Sequence, residues 1–167
     1  VAAGGARSGG SASSGGLATG GATRTGGAAG SGGASGAGGI ASGTITEFSV
    51  PTANGNPSGI AAGPDGNLWF VETGGNKVGR ITPIGPITEF PIPTAKCQPW
   101  SIAAGPDGNL WTTETSSGAI GRITPTGTVT EFRIPTSGSW PWGITAGPDG
   151  NLWFTEQTGN KIGRITP

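Results

Sequence analysis

The heptad of residues Gly63-Pro64-Asp65-Gly66-Asn67-Leu68-Trp69 returns at Gly105–Trp111 and again at Gly147–Trp153, each time 42 residues later. No insertion or deletion disturbs the phase. A fixed period of this length marks a chain built from repeated supersecondary units, which bury their apolar faces only against one another. Each copy also carries its own local mechanism. Pro presets the first corner of a turn, Asp accepts hydrogen bonds from nearby backbone, and Gly takes the positive φ that follows. An apolar run with an aromatic begins at once, so each copy reads as a turn feeding a strand.

The repeats run 45–86, 87–128 and 129–167 within a repeat region of 44–167. Each contains four short strand-like pieces. In the first copy these are residues 59–62, 68–72, 77–82 and 87–92. No window places apolar residues at a spacing of 3.6, so the repeats predict no helix. Four strands in about 40–45 residues is one blade of a β-propeller. The second strand alternates Leu68 and Phe70 with Trp69 and Val71, so both of its faces are apolar. That suits a sheet covered on both sides by neighbouring blades. Pro91 in the fourth piece suits an outer edge strand. The fold class expected is therefore all-β: antiparallel four-stranded blades, about three of them. Ile45-Thr46-Glu47-Phe48 has the phase of a fourth strand belonging to a preceding blade, or of the strand that closes a ring. An open arc of three blades exposes apolar end faces and predicts self-association.

Residues 1–43 are Gly, Ala, Ser and Thr with two charges, Arg7 and Arg24. This composition predicts a disordered, low-complexity linker, because it offers too little apolar surface to offset the entropy of ordering. Such a leader favours a tethered, exported or cell-envelope protein over a cytoplasmic one. The sequence begins at Val1 and contains no Met, as a processed product or fragment would. Nine basic residues balance nine acidic ones. The chain therefore lacks the basic footprint of a nucleic-acid binder, and no apolar run approaches a membrane span. Cys97 stands alone and cannot form an internal disulfide. Histidine is absent, which removes imidazole acid–base chemistry and the commonest transition-metal ligand.

Comparison between copies sorts the remaining residues. Asp65, Asp107 and Asp149 recur once per blade and read as turn residues; Trp69, Trp111 and Trp153 read as core. Glu72, Glu114 and Glu156 also recur. They read first as ion-paired or hydrogen-bonded across a blade, and second as carboxylates near a common axis able to hold a hard cation. The copies differ just before the innermost strand, at Asn56-Pro57-Ser58, Cys97-Gln98-Pro99-Trp100 and Ser139-Trp140-Pro141-Trp142. Trp100, Trp140 and Trp142 are candidates for an aromatic wall at one mouth of the channel, holding a small-molecule ligand. Lys96 and Cys97 read as rim residues.

The strings Pro-x-Gly-Ile-x-Ala-Gly-Pro-Asp-Gly-Asn-Leu-Trp-Phe-x-Glu and Asn-Lys-x-Gly-Arg-Ile-Thr-Pro, best seen from Pro141 to Pro167, resemble the virginiamycin B lyase (streptogramin B lyase) family over all of 44–167. The resemblance implies a seven-bladed propeller from a bacterial antibiotic-resistance enzyme. It also implies a carbon–oxygen lyase that opens the ester of a cyclic depsipeptide by elimination. A base would remove the proton beside the carbonyl, with Mg²⁺ stabilising the enolate. The family's catalytic histidines fall at the x of Pro-x-Gly-Ile, which is Ser58, Trp100 or Trp142 here. Its glutamate falls at Glu72, Glu114 or Glu156. With no histidine at the first set, this segment alone is expected to be inactive. The alternative is a non-catalytic propeller that binds a ligand or a protein.

Overall fold

The computed structural model describes residues 43–167. The linker expected over 1–43 falls, apart from Gly43, outside the described residues. Eleven strands and no helix make up the described part. The first sheet is an antiparallel meander of β1 (Pro57–Ala62), β2 (Leu68–Glu72), β3 (Lys77–Ile81) and β4 (Ile87–Pro91). The second repeats it with β5 (Pro99–Ala104), β6 (Leu110–Glu114), β7 (Ala119–Ile123) and β8 (Val129–Arg133). The third has β9 (Pro141–Ala146), β10 (Leu152–Glu156) and β11 (Lys161–Ile165). Strands β1, β5 and β9 pack side by side as the inner edge, and β4 and β8 lie outermost. This is the propeller-blade arrangement expected from the repeats, with Pro91 on an edge strand.

The inner strands begin two residues earlier than the sequence suggested, at Pro57 rather than Gly59, and the third and fourth strands end one residue sooner. The early start reflects a bulge in each inner strand, described below.

The recurrent heptad builds a clasp. Asp107 Oδ1 accepts from the Asn109 amide at 3.2 Å and from the indole nitrogen of Trp111 at 3.0 Å, and Oδ2 accepts from Asn109 Nδ2 at 2.7 Å. Gly108 takes φ 73° to close the turn, a conformation Gly adopts without penalty. Asp65 and Asp149 make the same three bonds in their own blades. The charge-stabilising bonds from Trp153 and Asn151 depress the Asp149 carboxyl to about 2. Beside the clasp, the Arg122 guanidinium lies 5.9 Å from the Trp111 ring centre and 5.7 Å from that of Phe132. Arg80 does the same between Trp69 and Phe90. Turn, core tryptophan and outer strand are thus tied into one unit by a cation between two aromatic faces.

The core lies between the sheets. Trp69, Val71 and Val78 of the first blade meet Ile102, Leu110 and Ile123 of the second. Trp111 and Ile120 of the second meet Ile144, Leu152 and Phe154 of the third. The second blade therefore hides apolar surface on both sides, the arrangement that a strand with two apolar faces suits.

Cys97 is not a rim residue. It is fully buried in the first interblade core. The reason is Asn76, whose Oδ1 accepts from the Cys97 amide at 2.8 Å while Nδ2 donates to the carbonyls of Ile92 and Thr94. The linker between β4 and β5 is drawn inward, and the thiol goes with it. Lys96 stays exposed, as expected.

Asp107→Ala leaves the buried Trp111 indole N–H without its acceptor. That should lower stability by roughly 1–3 kcal/mol, readable as a lower midpoint in urea with an unchanged slope. An unchanged midpoint would show that the clasp contributes nothing to stability.

Candidate binding mouth and buried carboxyls

Each inner strand loses register at the same point. The shift falls between Pro57 and Ile60, between Pro99 and Ile102, and between the partners of Pro141 and Ile144. A bulge adds a residue to one strand and re-aims the side chain it carries. The re-aimed residues are Ser58, Trp100 and Trp142, followed by Gly59, Ser101 and Gly143. Together these six line one cleft of about 500 Å³. The Trp100 and Trp142 rings stand 4.1 Å apart between centres, tilted by 39°. Gly59 is required at the seam, because a Cβ there would come within 2.9 Å of Ser101 Cα and the Trp100 carbonyl.

Hydroxyl groups hold the seam. Ser58 Oγ donates to the Trp100 carbonyl at 3.0 Å and lies 3.0 Å from Thr73 Oγ1, which donates to the Pro99 carbonyl at 2.7 Å. In the next seam Thr113 Oγ1 donates to the Trp142 carbonyl at 2.8 Å, and Thr115 Oγ1 to that of Pro141 at 3.0 Å. These hydroxyls fix the backbone from which Trp100 and Trp142 project. Sequence reasoning passed over them. Thr73 and Thr115, each directly after the blade glutamate, were the available signal.

Trp140 does not join the wall. It is half-exposed, sits at φ 47°, and is not among the residues lining the cleft. The structure brings together Ser58, Trp100 and Trp142 only.

Glu72, Glu114 and Glu156 are buried at the ends of β2, β6 and β10. Among the described residues none has an ion pair, one of the two partners expected, while Glu114 has the other, a hydrogen bond, from Ser117. The pair in the first blade is Lys77 with Glu89, 2.7 Å apart, and Thr52 also bonds Glu89 through its amide and hydroxyl. Lys77 is drawn to Glu89 because Glu72 lies deeper. Among the described residues, both oxygens of Glu72 are without a hydrogen-bond partner, as is one oxygen each of Glu114 and Glu156. Burial, followed by the charge of Glu89, pushes the Glu72 carboxyl up. Burial pushes Glu114 further, to about 8, against the lowering effect of the Ser117 hydroxyl 2.9 Å away and with the Glu131 carboxylate adding to the rise.

The second blade differs from the others for a readable reason. Where the first and third have Asn76-Lys77 and Asn160-Lys161, the second has Gly118-Ala119. Glu114 and Glu131 face one another with no lysine between them. The three blade glutamates do not converge, and no three His, Cys, Asp or Glu side chains form a metal-ligating cluster among the described residues. Glu72 and Glu114, held towards their neutral form in separate blades, are a poor donor set for Mg²⁺, which takes ionised oxygens in near-octahedral geometry.

The pattern of the Virginiamycin B lyase family matches residues 36–167. The chain belongs to that family. Virginiamycin B lyase from Staphylococcus aureus is 49% identical with a TM-score of 0.73, over 75% of this chain and 43% of that one. A catalytically inactive histidine-to-alanine variant of the same enzyme, solved with quinupristin, is 51% identical with a TM-score of 0.73, over 74% and 42%. A streptogramin B lyase is 40% identical with a TM-score of 0.67, over 75% and 45%. The chain thus spans less than half the length of these lyases.

Within the family frame, the positions expected to carry histidine are the three bulge residues that line the cleft, and they are Ser, Trp and Trp.

Glu114 also sets a pH dependence. Its folded pKa, about 8, lies above the ordinary 4.5. Between those values the folded state keeps a proton that the unfolded state has released, so stability is greatest below the window and falls as pH rises through it. The melting temperature should fall from pH 5 to pH 8. Glu114→Gln should flatten that slope, and Ala119→Lys, which restores the lysine of the other blades, should flatten it as well. An equal slope in all three proteins would show that Glu114 is not its source.

Proposed function

We propose that these blades form the binding part of a lyase-family propeller, one that holds a cyclic depsipeptide of the streptogramin B type without itself carrying out the elimination. The observation that carries this reading is the Trp100–Trp142 pair, set by two bulges in a cleft of about 500 Å³. That size lies within the range of small-molecule sites, and the lining is the usual mixture of aromatic surface and a few hydroxyls. Stacked aromatics add about 0.5–1.5 kcal/mol per pair beyond the area they bury.

Removing the proton next to an ester carbonyl needs a base within hydrogen-bond reach whose pKa suits neutral pH. The cleft offers Ser58 and Ser101, which are not bases, and the chain contains no histidine. In the related lyase one histidine-to-alanine change is enough to give a catalytically inactive protein. Glu114 is buried and hydrogen-bonded to Ser117, and is not among the residues lining the cleft. A carbon–oxygen lyase built on these blades would draw its base from further blades that carry histidine.

Titrating the chain with quinupristin while following tryptophan emission should give saturable binding. Trp100→Ala and Trp142→Ala should each weaken it about tenfold or more, which is about 1.4 kcal/mol. Trp140→Ala should leave it unchanged. Mass spectrometry after prolonged incubation should recover the intact cyclic ester. Lack of binding overturns the ligand, and a linear product with a dehydrated end overturns the non-catalytic reading.

A further inference from the structure

The second blade departs from the others in the strand next to its inner edge. Where β2 has Phe70-Val71 and β10 has Phe154-Thr155, β6 has Thr112-Thr113. Both threonines are fully buried. A hydroxyl thus stands where the other two blades bury an aromatic ring. The two hydroxyls grip one residue. Thr112 Oγ1 donates to the Ser101 carbonyl at 2.8 Å, and Thr113 Oγ1 accepts from the Ser101 amide at 3.1 Å. Ser101 directly follows Trp100, inside the stretch where β5 loses register with β6. A bulge leaves its extra residue outside the ladder, and the threonines supply the bonds that the ladder does not.

Thr113 reaches further. The same oxygen donates to the Trp142 carbonyl of the third blade at 2.8 Å. One hydroxyl therefore ties the bulge that carries Trp100 to the bulge that carries Trp142. In the first blade Val71 stands at this place and has no hydroxyl to offer. There the Trp100 carbonyl takes its bond from the Ser58 hydroxyl instead, at 3.0 Å. The proton count closes, since Ser58 and Thr73 have one hydroxyl proton each for the carbonyls of Trp100 and Pro99. In both seams, then, a hydroxyl of one blade holds the carbonyl of the next blade's cleft tryptophan.

The two rings depend on that backbone. Trp69, Trp111 and Trp153 are held through their indole nitrogens by the aspartate four residues earlier. Trp100 and Trp142 have Lys96 and Gly138 at that place. Yet they stand 4.1 Å apart between centres, at 39°, although they belong to different sheets. We propose that Thr113 and Ser58 are positioning residues of the cleft: their hydroxyls fix the carbonyls of Trp142 and Trp100, and so set the mutual angle of the two rings on which a ligand stacks. The role in ligand binding rests on the depsipeptide reading above. The ring angle does not, and it is read separately.

Two indoles in contact couple their electronic transitions, and the circular-dichroism couplet that results depends on the angle between them. Among the described residues Trp100 and Trp142 are the one pair of tryptophans in ring contact. The 167-residue chain should show this couplet, and Trp100→Phe or Trp142→Phe should each abolish it. Thr113→Val installs the residue that the first blade buries at the same place. It should remove most of the amplitude and weaken quinupristin binding about fivefold or more. Thr113→Ser should keep both. Ser58→Ala should act as Thr113→Val does. Adding Val71→Thr to Ser58→Ala should restore the couplet, because the new hydroxyl stands where Thr113 stands in its own blade. Ser58 is exposed, so its series decides the matter if Thr113→Val does not fold. A couplet unchanged by either single substitution overturns the proposal, as does a double variant that restores nothing. A couplet that follows the series while quinupristin never binds supports the positioning role and overturns the ligand alone.

Discussion

Burial of sheet faces against a neighbouring sheet is the constraint on which the rest of this protein depends. A lone four-stranded meander with Trp on one side and Phe or Leu on the other would leave one face in water, and at about 25 cal/mol per Å² that surface is too large to leave bare. Stacking the meanders around an axis solves the problem for each inner blade at once. The Asp clasp serves the same end. It satisfies the indole N–H at the turn, so a large aromatic can enter the interblade core with no orphaned donor. The arginine between two rings then fastens the outer strand to that same tryptophan.

The mouth of the channel follows from how tightly the inner edges approach. Gly59 leaves no space for a side chain, and the threonine hydroxyls tie one inner strand to the carbonyls of the next. The bulge that permits this approach also turns one side chain per blade towards the cleft. Architecture therefore fixes where the cleft residues stand, while their identity is left open. That separation lets the same bulge present serine in one blade and tryptophan in the next two.

Much of this was readable from residues alone. The period, the turn chemistry and the two-faced β2 pattern specify blades, because each is a local rule repeated without exception. The cleft was half legible. Differences among copies pointed to Trp100 and Trp142 and also to Trp140, whose proximity in sequence concealed that only the residue after Pro is re-aimed by a bulge. Burial of Cys97 was not legible, since it depends on the Asn76 side chain reaching across 21 residues. The glutamates misled for a related reason. Lys77 and Glu72 are opposite one another on paired strands, yet the lysine turns to Glu89, where Thr52 completes its contacts. Pairing rules name neighbours, and depth decides which neighbour is chosen.

Cys97 gives this molecule an internal reporter. Its thiol is buried in the seam between the first two blades, and that burial pushes its ionisation well above the ordinary range. Since the thiolate is the reactive form, the sulfur is inert to alkylating reagents while the seam is shut. The rate at which such a reagent consumes it therefore measures how often the first blade parts from the second, without any label having to be introduced.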